Sequence, residues 1–140
     1  MRRILLTVLL LAGCADLQLP PSPADVEAKK FETVPDKSVI YVVRTAMDSN
    51  EMAGLSLDDR GQISTYRGTY YRWEVAPGTH RVAGMGWSNT SVTLTTAPGK
   101  IYYLEHTVRG DQRAGATLAF LRPIGEQEGR ALVARSQLLQ

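Results

Sequence analysis

The sequence predicts an all-β domain folded as a single β-sandwich, on three observations. From Ser38 onward, short apolar and β-branched runs are broken by turn residues at close intervals. Thr69 to Val75 alternates, with Tyr71, Trp73 and Val75 on one face and Tyr70, Arg72 and Glu74 on the other. Two near-identical segments, Ala76-Pro77-Gly78-Thr79 and Ala97-Pro98-Gly99-Lys100, supply the proline and glycine of type II turns between consecutive strands. About a hundred residues suffice for one such core.

Ahead of that domain, Arg2 and Arg3 precede an apolar run from Ile4 to Leu11, followed by Ala12, Gly13 and the sole cysteine, Cys14. As a helix, Ile4 to Gly13 would be about 15 Å long, half the thickness of a bilayer core. The stretch therefore has the form of a secretory signal, residues 1–13, rather than a membrane span. Leu11-Ala12-Gly13-Cys14 resembles the bacterial lipobox, which implies a lipidated Cys14 at the mature N-terminus and a membrane partner through that anchor. One sixteen-carbon chain contributes at most roughly 12 kcal/mol of membrane affinity, and two or three hold a protein firmly. Ala15 rather than aspartate follows Cys14, which by resemblance to enterobacterial sorting directs the protein to the periplasmic face of the outer membrane.

Without Arg2 and Arg3 the remaining 14 basic side chains balance the 14 acidic ones. That balance excludes nucleic acid as a partner, since its binding needs a concentrated basic face. With Cys14 lipidated, no cysteine is left for a disulfide, and stability must come from the core. Residues 14–37, with Pro20, Pro21, Pro23 and Pro35, are expected to be a tether of roughly 28 Å root-mean-square span. Within it Ser22-Pro23-Ala24-Asp25 predicts the start of a short helix reaching about Phe31, with serine as cap and proline at the first position.

The sandwich domain is assigned to residues 38–140. Ser38 to Thr45 is apolar on both faces and predicts a central strand. Strands follow over about 54–57 and 62–66, joined by a turn at Asp58-Asp59-Arg60-Gly61. Later strands run over 69–75, 80–87, 90–96, 101–108 and 116–121, the last stopped by Pro123. Gly84 and Gly86 interrupt a strand and signal a bulge or a close neighbour. Arg109 to Gly115 is expected to be a loop, and its Arg109-Gly110-Asp111 tripeptide is of a kind common by chance. Leu132, Val133, Ser136 and Leu139 form one stripe and predict a helix from Glu126 to Leu139.

The blocks Ile40-Tyr41-Val42-Val43-Arg44, Gly68-Thr69-Tyr70, Val75-Ala76-Pro77-Gly78-Thr79-His80 and Ile101-Tyr102-Tyr103-Leu104 resemble, in order and spacing, bacterial lipoproteins carrying domain of unknown function 2846. The resemblance covers about 38–108 and the leader. It implies a prealbumin-like or immunoglobulin-like sandwich in the cell envelope and no particular activity. The turn Asp59-Arg60-Gly61 is one residue longer than that family's, which leaves the hairpin register open.

No nucleophile motif is present, and His80 and His106 lack the local spacing of metal ligands, so no cofactor is expected. His80 is assigned to the support of the first proline-glycine turn and His106 to a half-buried strand face. Most aromatics belong to the core. The candidate binding face consists of outward Tyr70 and Arg72, whichever of Tyr102 and Tyr103 faces solvent, and Arg44, for which a structural ion pair is the competing role. The resulting expectation is a non-enzymatic, outer-membrane-anchored module that binds an envelope protein or glycan. The alternatives are a structural subunit joined through a sheet edge, or a small hydrolase or accessory metal-binding protein using His80 or His106.

Overall fold

The apolar run at Ser38 forms β1 (Ser38–Arg44), and all seven of its residues are buried. In this computed structural model, which describes residues 20–85 and 90–140, that strand is the centre of the larger sheet. Cys14, and the stretch that holds Gly86, Trp87, Ser88 and Asn89, lie outside the described residues. β1 pairs antiparallel with β4 (Thr69–Val75) and parallel with β7 (Ile101–Asp111). β8 (Ala116–Ile124) lies beyond β7, and the two-residue β9 (Gln137–Leu138) lies beyond β4. The second sheet runs in the order β3 (Arg60–Thr65), β2 (Ala53–Leu57), β5 (Gly78–Met85), β6 (Thr90–Thr96). Two sheets face to face make the expected all-β sandwich.

Side chains of alternate parity on β1 enter two separate cores. Ile40 and Val42 meet Leu55, Val75, Val82 and Leu104 between the sheets. Val39, Tyr41 and Val43 point the other way, onto Tyr70, Tyr103, Ala28 and Val133. The last two come from α1 (Pro23–Ala28) and α2 (Glu126–Ala134), which cover the outer face of the larger sheet. The molecule therefore has three layers, and the apolar character of β1 on both faces follows from that.

The tether expected over residues 14–37 is corrected from Ser22 onward. Ser22 caps α1 by accepting the Asp25 N–H at 3.1 Å, as its sequence predicts, but the helix ends at Ala28 and packs on the sheet. Phe31 and Val34 pack on the same core. Tyr41 Oη donates to the Ala28 carbonyl at 2.6 Å, which fixes the helix end.

The 58–61 hairpin accommodates its extra residue as a bulge: Leu57 pairs with Arg60 while Ser56 pairs with Gln62, leaving Gly61 unpaired at φ 56°. Of the two proline-glycine turns only the second is as expected, with Gly99 at φ 67° and Lys100 N–H on the Ala97 carbonyl at 3.3 Å. Gly78 has φ 150°, away from the type II value, and its segment is a bend that carries the chain from one sheet to the other. The loop expected at Arg109 to Gly115 is shorter, because β7 extends to Asp111 and pairs with β8 to the end, leaving a 3-10 turn at Gln112–Ala114 and Gly115 as the connection. β8 also runs past Pro123, which an edge strand tolerates on the side that needs no N–H. The C-terminal helix stops at Ala134, and the chain re-enters the sheet as β9.

Close approach explains two glycines. A Cβ on Gly84 would lie 3.2 Å from His106 Nε2 and 3.3 Å from Ala119 Cβ, so β5 presses on the facing sheet there. A Cβ on Gly129 would lie 2.3 Å from Tyr103 Cγ, and only glycine lets α2 sit on that ring. Replacing Gly129 by alanine gains about 1 kcal/mol of helix propensity and incurs overpacking of about 1–3 kcal/mol. Because the clash is with the root of a packed ring, Gly129→Ala is expected to lose stability by about 1–2 kcal/mol in urea unfolding, despite the better helix former.

Candidate functional site

The three-layer arrangement removes most of the candidate binding face. Tyr70, expected outward, is 1% exposed beneath α1, and its hydroxyl donates to Asp25 Oδ1 at 2.8 Å. Tyr103 is buried under α2 and stacks on Tyr41 with ring centroids 5.4 Å apart. Burial pushes the Tyr103 phenol up to about 12. Tyr102 faces the core between the sheets, where its hydroxyl accepts the Ala97 N–H at 3.0 Å. Tyr103 supplies no solvent-facing ring, and Tyr102 is partly buried.

Arg44 takes the structural role. It is 1% exposed and donates to Asp48 Oδ2 at 2.8 Å, the Thr65 carbonyl at 3.0 Å and the Ser49 carbonyl at 2.7 Å. The same Asp48 oxygen accepts the Val108 N–H at 2.9 Å, so the pair ties β1 and the following loop to β3 and β7. A buried pair without spare capacity is a poor anion site.

Arg72, like Tyr102, remains partly accessible. It lines a cleft of about 460 Å³ between α1, residues 32–34, β4 and the last residues of the chain. Its Nε donates to Tyr41 Oη at 3.2 Å, and its Nη1 donates to Glu74 Oε1 at 2.5 Å. The bond from Arg72 holds the Glu74 carboxyl below the usual range. Lys37 reaches the other Glu74 oxygen at 3.8 Å. Asp25, on the same helix as Ala24 and Ala28 of the cleft wall, is buried, and burial alone would raise its pKa. Bonds from Lys29, Tyr70 and the Leu138 N–H outweigh that and hold it below the ordinary value.

β4 contributes Tyr71, Arg72 and Glu74 to this cleft. Val39 N–H bonds toward β7, on the Lys100 carbonyl at 2.9 Å, so the odd-numbered residues of β1 face β7 and the even-numbered ones face β4. By the register Ile40↔Trp73, Tyr71, Trp73 and Val75 bond β1, and Tyr70, Arg72 and Glu74 turn their N–H and C=O groups outward. β9 takes up the first of these: Gln137 N–H bonds the Gly68 carbonyl and Leu139 N–H the Tyr70 carbonyl, both at 2.9 Å. The β4–β9 ladder ends there. Among the described residues, no strand pairs with the outer edge of β4 beyond Tyr70. Sequence alternation correctly put Arg72 and Glu74 together, but nothing in it showed that their backbone is an edge, because β9 has no strand pattern of its own.

A second, more open concavity of about 850 Å³ lies on the outer face beyond α2, between Thr45, Met47, Thr107, Arg109 and Phe120. Arg122 spans it, bonding Glu105 at 2.6 Å and Glu128 at 2.8 Å. The sequence did not reveal it: 116–121 reads there only as the last strand, and Phe120 is not singled out.

Both histidines are structural. His80 holds Asp58 Oδ2 at 2.8 Å and the Ala76 carbonyl at 2.7 Å, supporting the bend between the sheets. His106, expected half-buried, is 1% exposed, with Nδ1 3.3 Å from Thr65 Oγ1 and Nε2 without a partner. Among the described residues no three His, Cys, Asp or Glu side chains converge as metal ligands, and no helix is long and apolar enough to cross a membrane. The chain matches no family model, and no curated protein matches it.

Burial, and then the Arg44 charge, lower the His106 pKa to about 4 from the ordinary 6.5, with Asp48 opposing. A base depressed on folding stabilises the protein in full above its unfolded pKa, and that contribution is lost as pH falls from 6.5 toward 4. His80, whose pKa is raised, acts in the opposite sense: its contribution is present below 6.5 and lost as pH rises through the folded value. His106→Leu isolates the first effect, because Thr65 keeps its bond to the Ala53 carbonyl. Between pH 7 and pH 5, urea unfolding should show the wild type losing about 2 kcal/mol relative to His106→Leu.

Proposed function

We propose that the protein is a lipoprotein anchored through Cys14 on the periplasmic face of the outer membrane, and that its sandwich is a non-catalytic binding module for an envelope component. The leader, the lipobox-like Leu11-Ala12-Gly13-Cys14 and the resemblance to lipoproteins with domain of unknown function 2846 support the location. The observation that carries the binding role is the cleft at Arg72, which presents a partly exposed guanidinium and an unpaired stretch of strand in one concavity. Neither histidine is arranged for chemistry: His80 has both ring nitrogens engaged, and His106 is sealed from solvent.

Docking of residues 22–37 also shortens the link to the anchor. Eight residue steps separate Cys14 from Ser22, and a chain reaches at most about 3.6 Å per step. Ser22 therefore stays within about 29 Å of the anchor, and the cleft, whose wall is α1, works near the membrane surface. Cys14→Ser should abolish labelling by radioactive palmitate and release the protein from outer-membrane fractions. A photocrosslinker at Arg72 should capture an envelope component in intact cells, whereas one at Thr95, on the outer face of the second sheet, should not. Equal capture from the two positions, or membrane retention of the serine variant, contradicts the reading.

A further inference from the structure

We infer that the outer edge of β4 at Arg72 and Glu74 receives an extended segment of another polypeptide, which pairs there as an added strand and places a lysine or arginine against Glu32. This rests on the binding-module reading and names the kind of partner that its cleft takes.

Four observations lead to it. First, the outward N–H and C=O groups of Arg72 and Glu74 continue the set that β9 already bonds at Gly68 and Tyr70, so an added strand extends an existing ladder. Second, the edge lies in a walled cleft rather than on an open rim: Ala24, Ala28 and Val34 stand on one side, and Leu138 and Leu139 on another. Small and aliphatic walls suit the side chains of an extended peptide, which alternate about the strand. Third, two of the other edges carry protection that this one lacks. β8 has its Ala119 carbonyl taken by Thr90 Oγ1 at 2.7 Å, and β3 has the Gly61 bulge next to Arg60. Fourth, the charges lining the cleft are unequal. Arg72 is neutralised by Glu74, and Glu27 by Lys30 at 2.6 Å, whereas Glu32 has no ion-pair partner among the described residues. A cationic side chain on the incoming strand would complete that set.

The probe is a fluorescein-labelled heptapeptide of alternating valine and lysine, titrated by anisotropy against the full-length lipidated protein in detergent. Two companion peptides carry, respectively, methyl groups on alternate backbone nitrogens and glutamate in place of lysine. Saturable binding is expected for the first peptide. N-methylation should weaken it at least about tenfold, because each lost strand hydrogen bond is worth about 1 kcal/mol. Glutamate in the peptide, or Glu32→Gln in the protein, should weaken it several-fold.

Absence of saturation up to about 1 mM, the limit of a weak specific complex, overturns the inference, and so does equal binding of the N-methylated peptide. Equal binding of the glutamate peptide removes the cationic partner. Sedimentation of the protein as a dimer that the peptide cannot enter would make a second copy of this chain the occupant and likewise overturn it. Capture of an envelope component from Arg72 with no peptide binding would leave the binding-module reading standing and remove only this one. Peptide binding without capture would remove the binding-module reading in the cell and this inference with it.

Discussion

The structure depends on one constraint: β1 is apolar on both faces and has to be covered twice. A strand of this kind cannot sit in a two-layer sandwich with one wet face, since leaving a large apolar side chain exposed forgoes about 1.5–3 kcal/mol. The second sheet covers Ile40 and Val42, and α1 and α2 cover Val39, Tyr41 and Val43. The segment before β1 and the segment after β8 are thereby drawn onto the same face. The cleft at Arg72 exists because these two coverings meet over β4 without closing.

Asp25 holds that meeting point. Its carboxylate takes bonds from Tyr70 on β4, from the Leu138 N–H on β9 and from Lys29 at the C-cap of its own helix. A helix as short as α1 would not persist in water by itself. Its position is fixed by this buried acid and by the bond from Tyr41 to the Ala28 carbonyl. The same contacts leave the Arg72 guanidinium and the β4 edge beside one another at the cleft.

Much of this was legible in the residues. The double-sided character of β1, the Ser22 cap, the close approach at Gly84 and the support of a bend by His80 all follow from local composition or spacing, and the structure has them. The error over Tyr70 has a specific origin. Alternation along 69–75 distinguishes two faces, but it does not say that the polar-looking one is roofed, because Tyr70, Arg72 and Glu74 divide between cover and cleft. The proline-rich composition of 20–37 suggested a tether, whereas the segment docks through Asp25, Ala28, Phe31 and Val34, an acid, a small residue and two apolar side chains that do not add up to an apolar stripe although they recur every third residue. β9 is two residues long and sits where a helical stripe was continuing, so periodicity favoured the helix. Long-range pairing of this kind leaves no local signal, and the candidate site depends on it.

The central claim is that β4 is paired along one side and open along part of the other. Amide hydrogen exchange of the free protein, resolved along β4, tests it directly. Protection should alternate: Tyr71 and Trp73, whose N–H groups face β1, should exchange slowly, and Arg72 and Glu74 should exchange orders of magnitude faster although they lie within the same strand. Uniform slow exchange from Tyr70 to Val75 would show that the edge is already occupied, and would contradict the account.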